Sequence, residues 1–470
     1  MYGKIKIPLT LWIAVIMILV LSFIWSQDFL LTIPMILYIP FTYKLFFVKG
    51  DPNIIFWGLL YQWLTVSIQL IYCSVLGIPL NDLFRNTVFP SQLMDYTDML
   101  SIFGLYFFNL GIFVVIRKLK PTIPEKVWDL YDPKKMLQVY VMVSLVISAS
   151  QAAIWAFPGL VQYLFFLFYI KWGFFLVTFI AVFKRDAEMK PFLYVVIAFE
   201  FVLGLSSFFA SSFTTILLFS IIAYSAVRQK ITYQKAALFT IVGALLFHMA
   251  ILWTASKGRY RSYLNQGQAT QSVKVSSEDA RKKLLELIVK VDDQTYKDAI
   301  EDMVNRIGYI HYFAAAIRFV PARMPFENGK VYWEAISHYL VPRFINPDKP
   351  VLDDSKHTNK YTGLGVSGRE RATSFSLGSF ADAYIDFGPI FMFVPIFLFG
   401  CLIGYFYKYL HKKGMWGMLL TGPFFLLINV YGADTTKALG FILIYFLVMA
   451  LINKRLINFF DPMMRRKSYL

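Results

Sequence analysis

The chain has 470 residues, 58% of them hydrophobic and 16% charged, with a formal net charge of +17. A soluble domain carries about 25% charged residues, so a single water-soluble core cannot hide this much apolar surface, and lipid is the expected solvent. The basic excess would point to nucleic acid in a soluble protein, but its placement along the chain excludes that partner and reads as a membrane topology signal.

Apolar runs long enough to cross a bilayer fall at about residues 7–25, 29–47, 54–77, 100–116, 136–157, 160–183, 191–209, 213–227, 236–255, 388–407, 415–433 and 438–453. The first follows Lys4 and Lys6 and has no small-residue cleavage pattern after it, so it reads as a retained helix and not a signal peptide. Pro34 and Pro40 interrupt the second run, and 213–227 is short. Period-two alternation is absent, which excludes a barrel. These runs predict an all-α integral membrane protein of about 12 transmembrane helices with one large, partly helical extracytoplasmic loop before the last three spans. The predicted organisation is a transmembrane bundle at 1–255 with about nine helices, a loop or lid with amphipathic helices at 256–387, and a further bundle of about three helices with a basic tail at 388–470.

Basic residues set the orientation. With a cytoplasmic N-terminus, the inner loops hold Lys49, then Arg117, Lys118, Lys120, Lys126, Lys134 and Lys135, then Lys184, Arg185 and Lys190, then Arg228, Lys230 and Lys235, then Lys408, Lys412 and Lys413. The tail adds Lys454, Arg455, Arg465, Arg466 and Lys467, whereas the short outer loops hold only Arg85 and Lys437. Both termini are therefore expected in the cytoplasm. Two charges, Lys171 and Glu200, fall near the middle of the sixth and seventh runs; each costs roughly 2.5–3.5 kcal/mol at that depth, so they are expected to face the bundle interior and pair. Cys73 and Cys401 lie in apolar runs and read as free buried thiols.

Within 256–387, Ser277-Glu278-Asp279 opens a predicted helix to about Val291. A second is predicted from about Gln294 to Phe319, with Met303, Ile307, Ile310, Ala314 and Ile317 as its apolar stripe and Asp298, Asp302 and Arg306 as a charged ladder at i, i+4. Five prolines then exclude one long helix across 320–354, where rings alternate with Arg323, Lys330, Arg343 and Lys349 in the manner of a segment lying in the membrane interface. Residues 363–391 are rich in Gly and Ser, and Gly388-Pro389 marks a break before the tenth span.

Three stretches carry a family likeness. Asn305-Arg306-Ile307, then Pro342-Arg343 through Pro347-Asp348-Lys349-Pro350, then Gly378 with Asp382-Ala383-Tyr384 and Asp386-Phe387-Gly388, resemble the O-antigen polymerase (Wzy-type, oligosaccharide repeat-unit polymerase) superfamily. The resemblance implies a glycosyltransferase-type enzyme. It would join oligosaccharide repeat units carried on polyprenyl diphosphate into a cell-surface polysaccharide, at the outer face of the bacterial cytoplasmic (inner) membrane. The implied partners are those lipid-linked substrates, the bilayer and a chain-length regulator protein. An O-antigen ligase, with the same lipid donor, or a flippase for the lipid-linked saccharide are the alternatives; the long outer loop and the lack of internal repeats weigh against the latter.

The chemistry needs cations for a diphosphate leaving group and a base for the acceptor hydroxyl. Arg306, Arg343 and Arg371 lead among the candidate diphosphate-binding residues, with Lys349 and Arg318; Arg259, Arg261, Arg323 and Arg369 are the other outer arginines considered. Asp382 is the first candidate base, followed by His311 and His338, and the competing reading of Asp382 is a helix cap. Asp353-Asp354 reads as a solvated pair in a turn, no metal site is predicted, and no cofactor is called for. Walker, Rossmann and G-x-S-x-G motifs are absent.

Overall fold

A computed structural model describes residues 2–120, 123–154, 161–205, 211–227, 233–268, 273–340, 352–368 and 374–466. Among them the regular structure is helical, with a lone bridge between Tyr131 and Arg465. The first part of the chain forms α1 (Leu9–Trp25), α2 (Phe29–Phe46), α3 (Ile54–Leu76), α4 (Met94–Ile116), α5 (Glu125–Asp129), α6 (Pro133–Ile154), α7 (Val161–Arg185), α8 (Lys190–Leu205), α9 (Ser211–Val227) and α10 (Tyr233–Leu264). Then come α11 (Ser277–Val289), α12 (Asp293–Ile307), α13 (Ile310–Phe319), α14 (Lys330–Leu340) and α15 (Asp354–Thr362). The chain closes with α16 (Ser379–Phe391), α17 (Phe393–His411), α18 (Met415–Thr421), α19 (Phe424–Leu427) and α20 (Thr435–Met464).

Among the described residues, five helical stretches are long and apolar enough to cross a membrane: Phe29–Phe46, Ile54–Leu76, Ser91–Ile116, Phe393–His411 and Thr435–Met464. Leu9–Trp25, Thr215–Val227 and Met415–Leu427 are shorter apolar helices. Large apolar side chains such as Leu21, Ile24, Phe199 and Leu451 remain exposed, a surface that suits lipid and is compatible with a membrane protein. Pro34 and Pro40 do not break α2, which runs through both. The run at 415–433 differs from the single span expected. It is cut at Gly422-Pro423, where proline lacks the donor a helix needs and Gly422 packs onto the backbone of Gly173 on α7.

The helices meet where side chains are smallest. On α4 and α17, a Cβ at Gly111 would stand 2.1 Å from the Phe397 carbonyl oxygen, and one at Gly400 would stand 2.3 Å from that of Phe108. Gly404, one turn further, continues the same seam against Ile112. Only glycine lets two backbones approach this closely, as in small-xxx-small packing between membrane helices.

The charged and polar termini gather at two ends. At one end Tyr2 meets Tyr407 at 3.5 Å, the Lys184 and Arg185 side chains pair with Glu125, and the Arg466 amide donates to the Leu130 carbonyl at 3.0 Å. Asp461 there accepts from Tyr131 at 2.7 Å and Trp416 at 2.8 Å. At the other end lie the start of α20 and the helices of 256–387.

Between them, Lys171 of α7 and Glu200 of α8 pair at 2.7 Å. Tyr140 and Ser144 of α6 also donate to the Glu200 carboxylate, at 3.0 and 2.5 Å, so the buried charge is fully engaged by three helices. His248 on α10 is exposed and hydrogen-bonds the Tyr296 hydroxyl at 2.9 Å; it is not a core residue.

Candidate functional site

The helix expected over 294–319 is two helices. α12 ends at Gly308, whose backbone is extended and where a Cβ would stand 2.6 Å from the Gln69 side chain, and α13 restarts at Ile310. Ser276 and Asp292 cap α11 and α12 by accepting from the Asp279 and Thr295 amides. The Asp298–Asp302–Arg306 ladder does not form: Asp298 accepts from Gln294 at 2.8 Å, and among the described residues no ion pair joins Asp302 to Arg306.

The site is built around the start of α16. Gly378 adopts φ +97°, and a Cβ there would stand 2.3 Å from the Tyr431 carbonyl oxygen, so glycine is required on both counts. Ser379 donates to the Val430 carbonyl at 2.7 Å and pins the helix start to the segment before α20. One turn on, Asp382 is carried against the first residue of α20, and its Oδ2 accepts from the Thr435 amide at 2.7 Å. Its Oδ1 meets His357 Nε2 at 2.7 Å. Asp382 is 1% exposed and both its oxygens are engaged, so it caps α20, not its own helix, and orients an imidazole at the same time.

His357 stands on α15, which Asp353 caps through the Lys356 amide at 3.1 Å. Thr358 donates to the Phe375 carbonyl at 2.7 Å and Ser355 accepts from the Phe375 amide at 3.1 Å, fixing α15 to the Gly/Ser-rich segment. The imidazole side chain is 26% exposed, and Nδ1 has no hydrogen-bond partner among the described residues. Burial disfavours its charge, but the Asp382 carboxylate, its hydrogen bond and Asp434 outweigh that and raise its pKa.

Beside this pair lies a second one. Asp354 is buried, not solvated as the sequence suggested; it bonds Lys437 Nζ and accepts from Ser374 at 2.7 Å. Asp434 caps α20 through the Lys437 amide at 2.8 Å and shares a hydrogen bond with Asp354. Burial, with Asp354 adjacent, pushes Asp434 up to about 7. Burial opposes the charge on Asp354 as well, yet Asp434, Lys437 and Ser374 hold it below the usual carboxylate range. The two carboxylates thus titrate as a pair, with Asp434 the one that takes up the proton.

Asp386 is a structural residue. It accepts from the Val331 and Tyr332 amides at 3.0 and 2.9 Å, capping α14 and setting Tyr332 beside Asp382. Gly388, with φ +72°, kinks the chain before α17 as expected.

The other candidates separate. His311 is 5% exposed, stacked on Phe84 and edge-on to Phe89, and accepts or donates at 3.2 Å with Gln69; burial lowers it to about 3, so it stays neutral in an aromatic core and offers no face to a substrate. His338 is half-buried on α14, and Arg318 donates to the Val88 carbonyl at 3.4 Å. Arg306 is exposed on α12. Arg343, Lys349, Arg369 and Arg371 lie outside the described residues. Among the described residues no group of three or more His, Cys, Asp or Glu is placed to hold a metal ion. Sequence reasoning missed His357, Asp434 and the role of Lys437; α15 brings the first and the start of α20 the other two.

The fold and site define an all-helical protein with a carboxylate-held histidine at one end of its apolar bundle. The chain belongs to the family described as domain of unknown function DUF8712, which matches residues 71–418 and so includes Asp354, His357 and Asp382. No curated protein and no solved structure matches it.

Proposed function

We propose that the protein polymerises polyprenyl-diphosphate-linked oligosaccharide repeat units into a cell-surface polysaccharide, at the outer face of the bacterial cytoplasmic membrane. The observation that carries this reading is the His357–Asp382 pair at 2.7 Å, set in the stretch whose motifs resemble the O-antigen polymerase superfamily. His357 Nδ1 takes the acceptor hydroxyl's proton, and Asp382 stabilises the imidazolium that results. The acceptor oxygen bonds to the anomeric carbon of the growing chain, and the diphosphate departs with the electrons of the broken bond. His357 replaces Asp382 as base because the carboxylate oxygens are both spent on fixed donors.

Twelve spans with both termini cytoplasmic fit the same reading. The contacts that join Tyr2, Lys184, Arg185, Arg465 and Arg466 to one end of the bundle support a cytoplasmic basic face, with the His357 cluster opposite. The test is purified protein in liposomes supplied with a lipid-linked repeat unit. A ladder of lengthening products is the expected result. Transfer only to a lipid A-core acceptor would make the protein a ligase, and transbilayer movement with no new bond would make it a flippase.

A further inference from the structure

The start of α4 buries acidic groups that have no counter-charge. Asp98 lies in the Ser91–Ile116 stretch that is apolar enough to cross a membrane, and it is fully buried. Neither of its carboxylate oxygens has a hydrogen-bond partner among the described residues. Asp95 stands three residues earlier on α4, so the two carboxylates share a helix face. The 3₁₀ turn Leu80–Phe84 meets that face: Asn81 donates from Nδ2 to Asp95 Oδ2 at 2.8 Å. The remaining side-chain oxygens, Asn81 Oδ1 and Asp95 Oδ1, are buried as well, again with no partner among the described residues. Leu80 ties Asp28 to the same turn, its amide donating to Asp28 Oδ2 at 2.6 Å. The basic side chains of the adjoining segments are spent elsewhere: Arg85 pairs with Asp82 at 2.8 Å, and Arg318 donates to the Val88 carbonyl at 3.4 Å. Among the described residues no ion pair reaches Asp28, Asp95 or Asp98.

We propose that Asp98, Asp95 and Asn81 form a binding site for a hard divalent cation of the calcium class, at the end of the bundle that also carries His357. Four buried oxygens on these three side chains can accept, and among the described residues no donor is offered to any of them. A carboxylate buried in an apolar span needs a partner for its charge. A proton on Asp98 would supply a single donor and leave the other acceptors unmatched, whereas one cation satisfies them together. Carboxylates and an amide carbonyl are the oxygen ligands that calcium takes, with water filling the remaining positions. Asp28, at the rim, adds negative charge that favours a divalent over a monovalent ion. Ser101, one turn beyond Asp98, bonds the Tyr431 hydroxyl at 2.8 Å, and the Tyr431 carbonyl abuts Gly378 at the start of α16. The cation site therefore braces the segment that positions Asp382, and it does not depend on the proposed reaction.

The probe is calcium chloride, titrated calorimetrically into chelator-treated full-length protein in detergent at constant ionic strength, with magnesium chloride and sodium chloride in parallel. Saturable calcium binding is expected, with a dissociation constant of about 10⁻⁴–10⁻³ M, the range of calcium sites that face external solution. The Tm should rise with calcium concentration. Asp98→Asn and Asp95→Asn should each weaken binding about tenfold or more, since each removes a charged ligand. Should Asp98→Asn fail to fold, the half-buried Asp95→Asn carries the same test. In calcium-free protein Asp98→Asn should melt at or above the wild-type Tm, because it removes an unpaired buried charge; a lower Tm there counts against the site, since it assigns Asp98 a structural partner. Wild-type protein that binds neither calcium nor magnesium, that saturates with sodium alone, or whose calcium binding survives both substitutions unchanged overturns the site. So does a wild type that binds no calcium and loses stability as pH rises where Asp98→Asn does not, for Asp98 then holds a proton. Because no step of these assays forms a glycosidic bond, a protein that binds calcium but makes no polymer contradicts the proposed function and leaves this site standing.

Discussion

At the scale of single residues, Asp382 and Asp386 show how far sequence reading reaches. Both were visible in one motif, four residues apart, yet they do different work: Asp386 caps α14, while Asp382 caps α20 and holds His357. The sequence could suggest a carboxylate in a cap or a base, but not that one carboxylate would serve two elements. His357 escaped notice because its meaning comes from Asp382, 25 residues away, and from the start of α20. Its raised pKa has two consequences of opposite sign. Its ion pair stabilises the fold fully below the ordinary histidine value of about 6.5 and loses that contribution as pH rises through the raised value. Asp434, raised to about 7, adds stability at low pH that is lost as pH climbs to that value. Base catalysis needs the neutral imidazole, so transfer rate should rise where thermal stability falls. In His357→Gln the rise in rate should vanish, and the loss of stability as pH rises above about 6.5 should become smaller, leaving the part that Asp434 contributes. A stability profile identical to the wild type would assign that slope elsewhere.

At the scale of elements, periodicity located the helices well and their breaks poorly. The stripe from Met303 to Ile317 is real on both α12 and α13, but Gly308 ends one and starts the approach to the other because Gln69 stands against it. Likewise 415–433 is apolar throughout, and only the backbone contact of Gly422 with Gly173 explains why it folds as two short helices. The Lys171–Glu200 pair was legible because two opposite charges at one depth in lipid have little alternative but each other. Its hydrogen bonds from Tyr140 and Ser144 were not, since these two neutral side chains lie in an apolar stretch of α6 with no charge beside them to announce a partner. Removing one partner, as in Glu200→Ala, leaves a buried ammonium and should cost roughly 3–5 kcal/mol, whereas Lys171→Met/Glu200→Met should recover most of it. Thermal unfolding of the wild type, Lys171→Met, Glu200→Met and the double variant in detergent measures this. A double variant no more stable than the sum of the singles would mean the charges do not depend on one another.

At the scale of the whole molecule, composition alone announced an apolar helical bundle, and the basic residues announced that its two ends would differ. What composition could not provide is the convergence at the polar end, where α15, α16 and α20 each contribute one part of the acid–histidine cluster. These contacts span long separations along the chain and leave no local pattern. The central claim is that His357, held by Asp382, activates the acceptor for chain growth. It is tested most directly by comparing the length distribution of products that wild-type and His357→Gln proteins form from a purified lipid-linked repeat unit in liposomes. The account predicts a ladder from the wild type and a rate lower by about 10²–10⁴-fold in the variant, the usual worth of a positioned base. A variant that builds the same ladder at the wild-type rate would contradict it.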